Sequence, residues 1–121
     1  MSDPKEKLEA GIRAFCSELG IDREVYLNIL AAALSDMIRD TSVLCQAASN
    51  QDVKTIQEIS HRLKGTSANL RLNDIIPLAT ELNEYSKLGT ESQRYESLSV
   101  QIDQEVKMYQ QALKGAQSSG S

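Results

Sequence analysis

Apolar residues recur every three or four positions along most of the chain, a spacing that predicts amphipathic α-helices rather than strands. The first helix is predicted over residues 5–18 and stops at Gly20, because glycine favours the left-handed conformation that ends helices. Asp22 is predicted to cap a long second helix that runs to about Ser49. The apolar positions of these two helices are Leu8, Ile12, Phe15, Leu19, Leu27, Leu30, Leu34, Met37, Ile38 and Cys45.

A third helix is predicted from near Asn50 to about Leu70, followed by a short break over residues 71–74. Pro77 fits only in the first turn of the fourth helix, because proline lacks the amide proton that later turns require. Gly89 is expected to end that helix. Its apolar positions are Ile75, Leu78, Ala79, Leu82 and Tyr85.

A capping box formed by Thr90 and Gln93 predicts the start of the last helix. The apolar positions on one side of this helix are Tyr95, Leu98, Ile102, Val106, Tyr109 and Leu113. Four amphipathic helices with short connections, preceded by a short additional helix, predict an all-α antiparallel four-helix bundle. The 121 residues are expected to form one domain over 1–115, with a flexible tail over 116–121.

Composition narrows the class of protein. A formal net charge of −4 argues against general nucleic-acid binding. Cys16 and Cys45 lack the spacing of a metal or redox site and are expected to be reduced thiols. The polar N-terminus does not resemble a signal peptide, and no segment is apolar enough to span a membrane. We therefore expect a cytoplasmic monomer that binds neither nucleic acid nor membranes.

The second helix carries more apolar surface than a bundle requires. Val25, Ile29 and Ala32 form a second apolar sector in its N-terminal half. One interpretation is that the first helix covers this sector, with Ile12 and Phe15 in contact with it. A second interpretation is that the sector is a hydrophobic docking patch for another protein. Both can hold, because a short first helix can cover part of the sector and leave the rest exposed.

His61, the chain's one histidine, points away from the predicted core. At about 100° per residue, the apolar residues of the third helix lie on the opposite side of the projection. Those apolar-side residues are Ile56, Ile59, Leu63, Ser67 and Leu70. The residues predicted on the same side as His61 are Gln57, Lys64, Gly65 and Ala68. A core role for His61 is therefore excluded, which leaves an inert surface residue or a functional one.

Gly65 and Lys64 favour a functional histidine. Glycine inside an exposed helix costs about 1 kcal/mol relative to alanine, and one turn after His61 it would leave room for another protein to approach the ring. A helix end would also explain Gly65, but the apolar period continues to Leu70. Ala68, also a small residue, extends the surface that Gly65 leaves open. The Lys64 ammonium, three residues on, can reach a phosphoryl group carried by the imidazole, although lysines are common on exposed helix faces.

The third helix also carries a concentration of positive charge in an acidic protein, at Lys54, Arg62, Lys64 and Arg71. Such a surface suits an acidic partner or a bound phosphate, and a merely solvated face explains it equally well. Imidazole is largely neutral and nucleophilic at physiological pH, and phosphoryl transfer depends mainly on positioning and charge neutralisation. The chain has no phosphate-binding glycine loop or kinase motif, so we expect no ATP binding.

Residues 59–70, ISHRLKGTSANL, closely resemble the signature of histidine-containing phosphotransfer (HPt) domains, HxLKG[S/T]SxxL. The similarity covers about residues 22–113 and is strongest over 47–88. It includes an alanine-rich turn before the histidine helix and the segment LATEL after it.

By this resemblance, His61 is the phosphorylated residue, through the ring nitrogen remote from the backbone. Lys64 would contact the phosphoryl group, and Gly65 would permit close approach by a receiver domain. Asn83 and Lys87 match family positions for a histidine-orienting polar residue and a basic docking residue. The chain departs from the family pattern twice: Asn83 is shorter than the usual Gln or Glu, and an arginine replaces the usual glycine at position 71.

The resemblance implies a phosphorelay intermediate that needs no cofactor of its own, with Mg²⁺ supplied by the partner receiver domain. Its partners would be response-regulator receiver domains and a hybrid sensor histidine kinase. They would dock on a surface that includes Gln57, His61, Lys64, Gly65 and Ala68, with help from the second helix and with Asn83 and Lys87 as further docking candidates. The main competing hypothesis is an adaptor that binds receivers without carrying phosphate. Two further hypotheses are an enzyme that uses His61 as a general base and a helical oligomerisation domain.

Overall fold

The computed structural model describes residues 3–89 and 92–119, with side chains described up to residue 117. Five helices account for these ranges: α1 (Pro4–Leu19), α2 (Arg23–Ser49), α3 (Val53–Leu70), α4 (Ile76–Lys87) and α5 (Arg94–Ser119). The predicted all-α fold is confirmed. Within the described ranges, none of the helices has the length and apolar character needed to cross a membrane.

Helices α2 and α3 run antiparallel. The Tyr26 hydroxyl near the start of α2 donates a hydrogen bond to the carbonyl of Leu70 at the end of α3 (2.7 Å). Midway along both helices, Arg62 pairs with Asp40 (2.8 Å). These two contacts fix how far along α2 each turn of α3 lies.

Helices α2 and α5 are also antiparallel and close the bundle. Thr41 of α2 donates a hydrogen bond to Asp103 of α5 (3.0 Å). At one end of the bundle, the side-chain amide of Gln51 accepts from the Ser92 amide (2.9 Å) and donates to the Ser92 carbonyl (3.2 Å). The α2–α3 turn is thereby tied to the segment that leads into α5.

The core is built from the predicted apolar stripes, which are buried in α3 and α5 as expected. Leu19 and Tyr26 depart from the prediction in opposite directions. Leu19, the last residue of α1, is 58% exposed, whereas Tyr26 is fully buried. The Tyr26 ring packs against Phe15 with 4.8 Å between ring centroids, so α1 contacts the core through this aromatic pair.

Local capping chemistry sets the helix starts and ends. Gly20, at the C-terminus of α1, has φ 64°, as its predicted role requires. The third helix begins at Val53 and not near Asn50, because Asp52 is its N-cap and accepts a hydrogen bond from the Thr55 amide (3.3 Å). Gln51, with φ 54°, interrupts the helical path just before this cap.

The last helix extends further than the sequence predicts. Instead of a flexible tail from residue 116, α5 continues to Ser119 and Ala116 packs against the core. The reason is that Tyr109, Leu113 and Ala116 continue the helical apolar period. The predicted capping box lies outside the described residues because it includes Thr90.

Helix α1 is anchored to the end of the bundle where α3 terminates. Arg71 has the left-handed φ of 61° at the C-cap of α3, a conformation that costs a side-chain-bearing residue about 1 kcal/mol. Its guanidinium offsets that cost by donating to the Ala68 carbonyl (2.6 Å) and pairing with Glu18 of α1. A Cβ placed on Gly11 of α1 would lie 3.1 Å from the Arg71 carbonyl oxygen and 3.2 Å from the Tyr26 hydroxyl.

We predict that Gly11→Ala destabilises the protein. The added methyl group meets a backbone carbonyl held at a left-handed cap and a hydroxyl already engaged with Leu70, so neither yields easily. Overpacking should outweigh the gain in helix propensity and lower the free energy of unfolding by about 1 kcal/mol. Urea denaturation followed by circular dichroism measures the change. An unchanged or increased stability would show that this junction tolerates extra volume.

Candidate functional site

His61 lies in the middle of α3 with its side chain exposed to solvent. The residues that anchor α3 to the bundle, among them Ile59, Leu63 and Ser67, are buried on the opposite face. The predicted orientation of the imidazole is therefore confirmed. Within the described part of the chain, no side chain forms a hydrogen bond with the ring.

The surface around the imidazole ring of His61 is open to an approaching group. Gln57, Gly65 and Ala68 are exposed, and Lys64 is half-buried. An added Cβ at Gly65 would find no described atom within 4 Å outside its own helix, so this glycine faces open space. An approaching group can therefore reach the imidazole from the Gly65 side without displacing a side chain.

A shallow cleft of about 520 Å³ lies between α3 and α4 beside the histidine. Lys87 of α4 forms part of its wall and pairs with Glu84 on the same helix (3.4 Å). The residues that line the cleft are Lys54, Gln57, Glu58, His61, Asn83 and Lys87. The cleft thus brings together four of the predicted site residues, while Lys64, Gly65 and Ala68 lie on the following turns of α3.

Asn83 does not occupy the position predicted for a docking residue. It is only 1% exposed, and its amide nitrogen donates to the Gln57 carbonyl (3.1 Å) and to the Ser60 hydroxyl (3.2 Å). The same Gln57 carbonyl accepts the His61 amide in the regular helical pattern. Asn83 therefore ties α4 to the turn of α3 that carries His61, and neither of these hydrogen bonds is to the ring. Its own Oδ1 is buried and has no partner among the described residues.

The basic surface predicted on α3 is partly neutralised. Arg62 donates two hydrogen bonds to Asp40 of α2 (2.8 and 3.0 Å), and Arg71 pairs with Glu18. Hydrogen bonds to Asp40 raise the pKa of the Arg62 guanidinium. Hydrogen bonds to Glu18 raise the pKa of the Arg71 guanidinium in the same way. Both arginines already have carboxylate partners.

The remaining two cations of α3, Lys54 and Lys64, form no ion pair with any residue that the structure describes. On α3, the positive charge that has no ion-pair partner among the described residues is therefore carried by these two lysines. Which cations of α3 are neutralised therefore depends on contacts between helices.

The second apolar sector of α2 is not covered by α1. Val25 and Ile29 are 45% and 43% exposed, and Ala32 is exposed as well. Phe15 contacts Tyr26 instead. The interpretation in which α1 covers the whole sector is therefore wrong, and α1 leaves most of it exposed.

The exposed sector lies on the solvent side of α2, next to the groove that α2 forms with α3. Ile29 precedes Asp40 by eleven residues, three helical turns, so both are on one face of α2. Asp40 in turn lies with Arg62 and Thr66 of α3 in a groove between the two helices. We call Val25, Ile29 and Ala32 the α2 apolar patch. It borders the exposed face of α3 on the side away from α4.

Among residues 3–89 and 92–119, no group of three or more His, Cys, Asp or Glu side chains is arranged to hold a metal ion. Both cysteines are free thiols. The nucleophile that the exposed face offers is therefore the imidazole, with lysine cations nearby. This combination can accept a phosphoryl group and stabilise its charge.

Comparison with known families agrees with this geometry. Residues 28–115 match the family model described as the Hpt domain, which covers most of the chain. The protein therefore belongs to the Hpt domain family, whose members act in histidine phosphotransfer within two-component phosphorelays. Members of this family are phosphocarriers rather than kinases, and they interact with receiver domains. Comparisons with curated proteins and with solved structures gave no significant match.

Sequence reasoning missed the carboxylates and the hydroxyl that organise the site. Asp40 and Arg62 are 22 residues apart, and Glu18 and Arg71 are 53 apart, so no local pattern connects either pair. Ser60, directly before His61, reads as an ordinary helix residue, yet it is fully buried against Asn83. Only the packing of the helices reveals these contacts.

We predict that Gly65→Ala stabilises the fold. Because the added methyl group meets no described neighbour, the substitution should raise the free energy of unfolding by about 0.5–1 kcal/mol through helix propensity alone. The measurement is the same urea titration, with Gly11→Ala as the contrasting glycine in a crowded position. A loss of stability at position 65 would mean that Gly65 has a structural role and is not simply an opening in the surface.

Proposed function

We propose that this protein is a phosphorelay intermediate in which His61 accepts a phosphoryl group from the aspartyl phosphate of a receiver domain. The Nε2 lone pair attacks phosphorus, an N–P bond forms, and the aspartate carboxylate leaves with the electron pair of the broken O–P bond. Nδ1 keeps its proton during this step. The phosphohistidine then passes the group to the aspartate of a second receiver by the reverse sequence of bond changes.

The observation that carries this proposal is the exposed imidazole on the face of α3 opposite the core, beside an open surface at Gly65. In-line transfer requires the donor aspartyl phosphate to come within about 3–3.5 Å of the nitrogen. A large side chain at position 65 would obstruct that approach. Membership of the Hpt domain family supports the same chemistry.

Lys64 is the proposed phosphate-stabilising residue. It lies one turn after His61, is half-buried, and has no carboxylate partner among the described side chains. Its ammonium group is therefore available for a charge-assisted hydrogen bond to a phosphoryl oxygen. The receiver would supply Mg²⁺ from its own acidic site, so the carrier needs to contribute only the nucleophile and this cation.

Docking would use the exposed face of α3 together with the α2 apolar patch. Gln57 and Ala68 flank His61 along α3, and the patch borders the same face on the α2 side. Burial of exposed apolar side chains is a major source of affinity in protein interfaces. In this proposal the domain acts as a cytoplasmic monomer between a hybrid sensor kinase and a response regulator.

His61→Gln is the direct test of the proposal. Incubation of the purified protein with a phosphorylated receiver domain should transfer acid-labile, alkali-stable label to the unmodified chain. The variant should take up no label because the nucleophilic nitrogen is gone, and it should keep the same circular dichroism spectrum because the side chain is exposed. A variant that still binds the receiver and preserves signalling output in cells would instead identify an adaptor that carries no phosphate.

Val25→Asp tests the α2 apolar patch. A charge placed in a buried interface costs free energy of desolvation, so we expect receiver affinity to fall by about tenfold, which is about 1.4 kcal/mol. Titration calorimetry measures the affinity. Val100→Asp on α5 is the matched control, because Val100 is 47% exposed and belongs to a helix outside the proposed docking face. Equal effects of the two substitutions would exclude the patch from the interface.

A further inference from the structure

The basic side chains near His61 differ in whether a carboxylate neutralises their charge. Arg62 is held by Asp40 on the α2 side, and Lys87 is held more loosely by Glu84 on α4. Lys54, in contrast, is exposed and forms no ion pair within the described part of the chain. An arginine in a bidentate pair presents little net charge to an approaching protein, whereas an unpaired lysine presents its full charge.

Lys54 is placed to act on a group that approaches His61. It precedes His61 by seven residues, which puts it on the same face of α3, about 20° around the axis and about 10.5 Å along it. The two residues line the same cleft between α3 and α4. Glu58 is the one acidic residue among the six that line this cleft, and the cleft also contains Lys87.

We propose that Lys54 is a docking residue that attracts the acidic face of the receiver domain, and that Asp40 keeps Arg62 from doing so. This inference rests on the proposed function, because an aspartyl-phosphate site that holds Mg²⁺ must carry carboxylates around it. The histidine face is then polarised, with apolar surface towards α2 and positive charge towards α4. A receiver would dock in one orientation, with its acidic rim over the α3–α4 cleft and its apolar surface on the α2 apolar patch.

The test compares association rates of charge-removing variants with a receiver domain. Stopped-flow measurements at low and at near-physiological ionic strength report the electrostatic contribution, because screening weakens only that part. For Lys54→Gln we expect the rate at low ionic strength to fall by about threefold, with a smaller salt dependence than in the unmodified protein. Lys114→Gln on α5 removes the same charge from an exposed site on another helix and should change the rate by less than about 1.5-fold.

The Arg62–Asp40 pair provides the second arm of the test. Asp40→Asn frees the guanidinium and removes a negative charge, so it should raise the association rate by about twofold or more at low ionic strength. In the double variant Asp40→Asn/Arg62→Gln the rate should return to that of the unmodified protein.

The outcomes separate this inference from the proposed function. If the unmodified protein takes up no label on His61, the proposed function fails. If transfer proceeds but Lys54→Gln and Lys114→Gln have equal effects, Lys54 has no docking role and the inference is overturned. A rate that Asp40→Asn leaves unchanged would overturn the role assigned to Asp40.

Discussion

Burial of the apolar stripe of α3 is the constraint on which the site depends. Once Ile59, Leu63 and Ser67 are packed in the core, the helix cannot rotate about its axis without exposing them to water. His61 must then project from the opposite face. The direction of the imidazole therefore follows from core packing and needs no hydrogen bond to the ring. An exposed nucleophile on a rigid helix suits chemistry in which the partner supplies most of the catalytic groups.

Contacts between α3 and its neighbours set the electrostatics of that face. Asp40 and Glu18 neutralise the two arginines of α3, each from a different helix. Both ion pairs are partly exposed, and such pairs add little to stability, on the order of 0–1 kcal/mol. Their main consequence here is the distribution of charge around His61. Asn83 adds a buried link between α4 and the His61 turn, which holds the two walls of the cleft together.

The fold was largely predictable because most helices carry local signals at their ends and a clear apolar period between them. Gly20 and Pro77 occupy the positions that their backbone chemistry requires, and the buried stripes of α3 and α5 match the predicted ones. The errors arose where tertiary contacts outweighed local signals. Helix α5 continues past Gly115 because Ala116 still finds a surface to pack on, and the α2 apolar patch stays exposed because α1 packs elsewhere.

The sequence alone determined the helical class, the apolar faces and the orientation of His61, with the small residue Gly65 beside it. These depend on residue spacing within single helices, which local periodicity encodes. The tertiary structure decided which cations are neutralised, where Asn83 forms its hydrogen bonds and that the α2 apolar patch borders the histidine face. Those features depend on how far one helix lies along another and which sides they share, and residues about 20 to 50 positions apart in the chain carry no local pattern that reveals such a contact.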